Sequence, residues 1–508
     1  MKLLLLRPCP AASGYDFLEG NTCSTGSTNL RSSAVCNFLD IKKITKFSIR
    51  LKLISHHAII LAVIPKTRAI LIAGTGSGVG KTTVAMGLMA TLGKNYKVQP
   101  FKVGPDFIDP SHHTRICGRP CRNLDSFMMG ERGVLETFKR GSQGADFCVI
   151  EGVMGLFDGL DDTEIASTAH VAKILNVPVI LVINAHGASR SIAALVKGFS
   201  EFDTVNIAGI ILNNAGSDRH VKLIRDSLQS SGIKIPVIGA LPKNPELSIP
   251  SRHLGLQMAG ESNLNIEALS DFIEKHIDMG SVKTIANDFA APDIDINERL
   301  ERADIKIGIA HDSVFCFYYE DSFDELKRSG AELVFFSPMT DRLPEVDGLY
   351  LGGGYPELFV KELSTSRTRD EIKKAAGDGM PIYGECGALL YLNESLRTDR
   401  TYKMAGILGA SSRMTNKLQA LGYTEAETAI DSPIAKKGRI IKGHEFHYSV
   451  TECDRDATLV YKLRRGKGIA DGKDGLMEHN TMASYMHTHP CSNSFDEFLR
   501  QCRKYRMR

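Results

Sequence analysis

The chain is predicted to be an α/β protein of two successive domains, each built on a mainly parallel sheet. Three observations predict this. A short apolar run, Ala69–Ala73, precedes a glycine-rich turn and then an apolar stretch from Val84 to Leu92, the order strand, loop, helix. Strand-length apolar runs alternate with helical patterns on both sides of a polar stretch, 279–304, that holds Ala-Ala-Pro-Asp and no apolar period. A chain of 508 residues also exceeds what one core organises, since domains average roughly 100–200 residues. The expected divisions are an extension at 1–66, a first domain at 67–278, a linker at 279–304, a second domain at 305–495 and a tail at 496–508.

Composition narrows the function classes. At 43% hydrophobic and 24% charged residues the chain is globular, neither disordered nor collagen-like. Lys and Arg number 62 against 59 Asp and Glu, and a net charge of +3 gives no electrostatic case for a nucleic-acid binder. No apolar run reaches the ~18 residues of a membrane helix, so no membrane partner is expected. Eleven cysteines at irregular spacing argue against a disulfide framework and for a reducing, cytoplasmic compartment. Cys117 and Cys121 lie close together but lack the second pair a zinc site needs. The start MKLLLLRPCP has an apolar core shorter than the ~7–15 residues of a signal peptide, and only the run Ala58–Ile64 follows it. Residues 1–66 are therefore expected to be a disordered extension or a start assigned too far upstream.

The turn after the first strand reads Gly74-Thr-Gly-Ser-Gly-Val-Gly-Lys-Thr-Thr83. Between a strand and a helix, such glycines let backbone N–H groups close around phosphate oxygens at the positive end of the helix dipole. Gly74, Thr75, Ser77, Gly78, Val79, Gly80, Lys81, Thr82 and Thr83 form the expected ATP cradle. Lys81 would reach the β- and γ-phosphates, and the Thr82 hydroxyl would bind Mg²⁺. Thr75 stands where the common pattern has glycine, a form that resembles the dethiobiotin synthetase-like branch of phosphate-loop enzymes. Partitioning ATPases of the same superfamily carry a signature lysine where this chain has Gly76.

Two more strand ends point to the same place. Val98–Lys102 leads into Val-Gly-Pro-Asp-Phe-Ile-Asp-Pro110, which presents Asp106 and Asp109; Phe147–Ile150 delivers Glu151, with Asp158 beyond it. Ligands of open parallel sheets gather at these carboxyl ends. A lysine, a hydroxyl and several acids supply the positioning and charge neutralisation that phosphoryl transfer needs. The stretches KVGPDFIDP, RNLDSFM (122–128) and EGVMGLFDG closely resemble the cobyrinic acid a,c-diamide synthase family, and the resemblance runs from about residue 68 to about 495. It implies an acyl phosphate made with ATP on a tetrapyrrole carboxylate. It also implies Thr82, Asp106 and Glu151 around Mg²⁺, Lys102 and Asn213 near the nucleotide, and Asp106, Asp158 and His444 near the substrate. The run Leu247–Leu256, with Arg252 and His253, matches the family without an evident chemical reason. The nickel-sirohydrochlorin a,c-diamide synthase of coenzyme F430 biosynthesis carries very similar motifs, so cobalt and nickel substrates both remain open.

Beyond the linker two punctuations carry chemistry. Leu351-Gly-Gly-Gly-Tyr-Pro-Glu357 follows a strand, and Gly353 and Gly354 are placed to face an oxyanion. In Pro381-Ile-Tyr-Gly-Glu-Cys-Gly-Ala-Leu-Leu-Tyr391 a strand turns sharply into a helix at Cys386, the setting of an exposed nucleophile with a lowered thiol pKa. The histidines of GHEFHYS (443–449) and of Ala483-Ser-Tyr-Met-His-Thr-His489 are candidate bases. The second stretch is similar to that of class I glutamine amidotransferases, and this resemblance selects His487. Those enzymes follow their histidine with Pro-Glu, whereas this chain has Thr-His-Pro, so what orients His487 is open; Ala388 also replaces a common glycine. The expected reaction takes ammonia from L-glutamine and transfers it to the activated carboxylate, with room for a homodimer. Rivals are cobyric acid synthase and a nucleotide-switched regulatory protein with an inactive amidotransferase domain.

Overall fold

The computed structural model describes residues 67–508 apart from 248–250, 253–254, 257, 262, 288 and 297–299. The expectations for residues 1–66 and for His253 lie outside this set, and for Arg252 only the backbone is described.

The first domain is a doubly wound sheet of seven parallel strands. In chain order they are β1 (Arg68–Gly74), β2 (Val98–Val103), β3 (Arg122–Leu124), β4 (Phe147–Glu151), β5 (Val179–Asn184), β6 (Ile207–Ala215) and β7 (Val237–Pro242). Their spatial order is β3-β2-β4-β1-β5-β6-β7. The order reverses at β1, which lies between β4 and β5. The glycine loop therefore opens at the switch point, where a crevice forms. Side chains of β1 alternate between two cores. Ala69, Leu71 and Ala73 enter one face, and Ile70 and Ile72 enter the other. Burial on both faces explains why these strands read as unbroken apolar runs.

The linker is shorter than its polarity suggests. Met279–Asn287 is a helix whose Val282, Ile285 and Ala286 pack into the first domain's core, and Phe289 packs edge-on against Phe138. The spacing 282, 285, 286, 289 is a helical stripe that polar neighbours obscure. The tail is also ordered. Asp496–Arg506 is a helix that buries Phe498, Leu499 and Cys502 beneath the second sheet.

That sheet has ten strands. Ala331–Phe336, Ile305–Ala310, Gly348–Leu351, Ile382–Glu385 and Thr481–Ser484 run parallel. Lys473–Glu478, Thr458–Arg465, Ala420–Thr428, Ile440–His447 and His487–Thr488 continue it as antiparallel neighbours. Its parallel half follows from strand–helix alternation, and its antiparallel half comes from the chain after 400, which is rich in hairpins. The chain leaves the middle of the sheet after Ser484 and re-pairs two residues later at the far edge, which sets His487 opposite His444.

A polar and aromatic seam joins the two domains. Arg122 reaches Asp321 and Asp324 at 3.1 and 2.6 Å, and the Tyr423 hydroxyl donates to Asp125 at 2.6 Å. Arg465 grips Asp161 with two nitrogens, at 2.7 and 2.6 Å. The RNLDSFM stretch thus finds its use here: Asp125 also caps the helix Ser126–Ser142, accepting from the N–H groups of Phe127 and Met128.

Candidate active site

The glycine loop closes over its own lysine. Helix α1 (Lys81–Gly93) begins directly after Gly80, which has φ 99°, and the Lys81 ammonium donates to the Gly76 carbonyl at 2.8 Å. Burial, then Lys102, lowers the Lys81 pKa, while Glu151, Asp109 and Asp158 oppose the change. The Asn213 amide donates to the Val79 carbonyl at 2.9 Å, so β6 braces the loop from the side. A methyl group on Gly80 would overlap that amide, and the positive φ disfavours any side chain there. Ser77 and Gly78 at the loop tip are exposed, and Thr75, Thr82 and Thr83 are half-buried.

The carboxyl ends of β2 and β4 bring the acids together around Lys102. Its ammonium lies 2.6 Å from Asp109, 2.9 Å from Glu151 and 3.8 Å from Asp106. Burial works against this charge, but Asp109 and Glu151 hold its pKa above the usual lysine value. Lys102 therefore neutralises the acid cluster. Asp106 caps helix α2 (Ile108–Cys117), accepting from Ile108 N at 2.8 Å and Asp109 N at 3.3 Å. Asp158 is exposed on its loop and accepts from Gly155 N at 2.8 Å.

His113, to which sequence reasoning assigned no role, joins this centre. Its Nδ1 lies 2.9 Å from the Asp109 carbonyl and its Nε2 2.7 Å from Glu151, both side chains being fully buried. A carbonyl only accepts, so Nδ1 carries the hydrogen of a ring that burial keeps neutral, its pKa lowered to about 3. The available signal was the spacing of four from Asp109 on α2, which sets both residues on one helical face.

The oxygens suit Mg²⁺ in kind. The Thr82 hydroxyl donates to Glu151 at 2.6 Å, and Asp106 and Glu151 share Lys102. Among the described residues no group of three or more His, Cys, Asp or Glu forms a metal cage.

The second centre forms on the other sheet. Cys386 sits between the strand Ile382–Glu385 and the helix Gly387–Leu392 with φ 48° and ψ −95°, a strained elbow pinned by its N–H to Ser484 O at 2.6 Å. It keeps 8% exposure. His487 faces it from the edge strand. Burial works against its charge, but the pairing with Cys386, followed by Glu385, holds its pKa up to about 10. His444 stacks on His487 at 4.9 Å and accepts from or donates to the Tyr319 hydroxyl at 3.1 Å; burial and His487 push its pKa well down. Gly353 lies against the His487 ring so closely that a methyl group would overlap it, and Gly354 abuts Gly387.

Between the centres stands Phe107, next in sequence to Asp106. Its ring stacks on Phe317 at 5.1 Å and meets His444 and His487 at 5.6 and 5.2 Å. Residues of the first domain thus touch the thiol–imidazole pair of the second.

Known proteins share this arrangement of halves. Residues 70–256 match the CobQ/CobB/MinD/ParA nucleotide binding domain, and residues 306–495 match the CobB/CobQ-like glutamine amidotransferase domain. The cobyrinate a,c-diamide synthase of Methanobrevibacter smithii is 45% identical over 433 residues, covering 83% of this chain and 95% of that protein. The chain belongs to the cobyrinate a,c-diamide synthase family. Members from Methanosarcina barkeri and Caldanaerobacter subterraneus are 43% and 42% identical, covering 83% and 86% of this chain and 92% and 99% of their own lengths. His444, which the family resemblance places near the substrate, touches His487, Tyr319 and Phe107 at the seam.

Proposed function

We infer that this chain is an ATP-dependent, glutamine-hydrolysing ligase that amidates the a- and c-acetate carboxylates of cobyrinic acid in cobalamin biosynthesis. Family membership supports the reaction class. The observation that carries the division of labour is the pair of centres, Lys81 with its acids and Cys386 with His487, meeting across Phe107.

Cys386 as thiolate attacks the side-chain amide of glutamine, and the carbonyl oxygen develops charge toward the backbone N–H groups of Gly353 and Gly354. The imidazolium of His487 gives its proton to the departing nitrogen. Water then cleaves the thioester to glutamate. In the other half the glycine loop holds the triphosphate and Lys81 neutralises the β- and γ-phosphates while an acetate oxygen attacks. Mg²⁺ at Thr82, Asp106 and Glu151 would supply further neutralisation of phosphate charge. Lys102 keeps the acids close together without mutual repulsion, Asn213 holds the loop's shape, and Asp158 faces the entering carboxylate. Ammonia attacks the acyl phosphate, releasing phosphate, and passage out of bulk water would keep it unprotonated. The cytoplasm fits the chemistry of free thiols, and the eight described cysteines are all free.

A paired assay tests this reading. Purified protein with ATP, Mg²⁺ and glutamine receives either cobyrinic acid or nickel-sirohydrochlorin, and amides are counted by mass. Two added amides on cobyrinic acid are expected. Product from the nickel substrate alone would move the chain to the coenzyme F430 branch, and product from neither would end the assignment.

A further inference from the structure

We propose that Glu385, the residue immediately before Cys386, is the positioning residue that orients His487 through its Nδ1. The idea rests on the glutaminase reading above. It answers what the missing Pro-Glu left open: the acid comes from the strand that carries the nucleophile and not from the strand that carries the histidine.

Glu385 is 1% exposed, and a carboxylate so deeply buried is costly unless its oxygens are satisfied. They are. One oxygen accepts from the Tyr383 hydroxyl at 2.7 Å, from Thr488 N at 3.0 Å and from the Thr488 hydroxyl at 3.1 Å. The other accepts from the Tyr350 hydroxyl at 3.2 Å and lies 3.7 Å from Nδ1 of His487. That nitrogen is buried and has no hydrogen-bond partner among the described residues. The same carboxylate therefore grips the backbone beside His487 and faces its ring.

Apart from the Cys386 sulfur, the other groups around the ring do not offer an anion. His444 lies flat against it as a neutral imidazole, Phe107 and Gly353 are apolar, and the Tyr319 hydroxyl is turned to His444. Cys386 meets the ring as the proton partner. A separation of 3.7 Å is longer than a hydrogen bond, and such contacts commonly tighten once substrate is bound. Glu385 takes no proton itself. The thiol proton moves to His487, the S–C bond to glutamine forms, the C–N bond breaks, and the proton leaves with ammonia. Glu385 stays a carboxylate throughout, fixing the tautomer and favouring the imidazolium.

The experiment uses the full chain with Glu385→Gln and Glu385→Asp. In Glu385→Gln, kcat for glutamine hydrolysis should fall roughly 10²-fold or more, with KM for glutamine little changed. The alkaline limb of the pH–rate profile should move to lower pH, since the carboxylate that favours the imidazolium is gone. Glu385→Asp should recover part of both, and ammonia-dependent synthesis should stay at the parental rate. An unchanged alkaline limb in Glu385→Gln would overturn the proposal. So would loss of ammonia-dependent synthesis together with glutaminase, which would mark a purely structural residue. If the parental chain hydrolysed no glutamine at all, the underlying functional reading would fall, and this proposal with it.

Discussion

Phe107 of the first domain packs its ring 5.2 Å from that of His487 in the second, with 48° between their planes. The contact is a tertiary bridge between the acid cluster at Asp106 and the thiol at Cys386. It sets an apolar plug between the two centres that the proposed reaction links.

Replacing Phe107 by Ala should open this plug. The ratio of glutamate released to amide formed should rise several-fold above one, because ammonia escapes and becomes ammonium. The check is to measure glutamate and amide in the same reaction. A ratio that stays at one would show that Phe107 does not retain nitrogen.

Cys386→Ala should abolish glutamine-dependent synthesis and spare synthesis from ammonium salts. Lys81→Ala should remove both, since neither nitrogen source helps an unactivated carboxylate. If Cys386→Ala also lost the ammonia-dependent reaction while remaining folded, the division into two centres would be wrong.

Gly353→Ala should lower glutamine hydrolysis by about 10²-fold or more by pushing His487 away from Cys386. Nucleotide binding, read by the tightening of thermal stability with ATP, should be unaffected. Equal loss in both assays would point to misfolding instead.

Asp321 joins the halves from inside the seam, 3.1 Å from Arg122 and 3.6 Å from Arg140. Burial would raise its pKa, but His489, Arg122 and Arg140 bring it down to about 2. A carboxylate depressed in the folded state adds stability that is complete above its unfolded value, near 4, and is lost as pH falls through about 2. Asp321→Asn should cost about 2–3 kcal/mol by removing the anion shared by His489, Arg122 and Arg140, with Asp324 still holding Arg122, and should flatten the acid slope of Tm. Thermal melts between pH 2 and pH 7 would show it, and parallel slopes in the two proteins would refute it.

Much of this molecule was readable along the chain. The glycine loop, its flanking strand and helix, and the elbow at Cys386 are local patterns, because each depends on backbone geometry within a dozen residues. Ile305–Ala310 and Gly348–Leu351 begin and end where their apolar runs do. The helix Met279–Asn287 was missed because its stripe is only four residues long among polar neighbours, and the docked helix Asp496–Arg506 because charged residues outnumber its three anchors.

The amino-acid order was enough to propose the chemistry: a glycine loop with Lys81 suited to a triphosphate, a thiol on a turn, and acids at strand ends. Folding in three dimensions settled who meets whom. It gave Lys102 to the acids, His113 to Glu151, Glu385 to His487 and Phe107 to the seam. The reason is physical. Loop and elbow geometry is written in consecutive φ and ψ angles, whereas the pairing of buried charges depends on strand order, and strand order is fixed by packing among segments far apart in the chain.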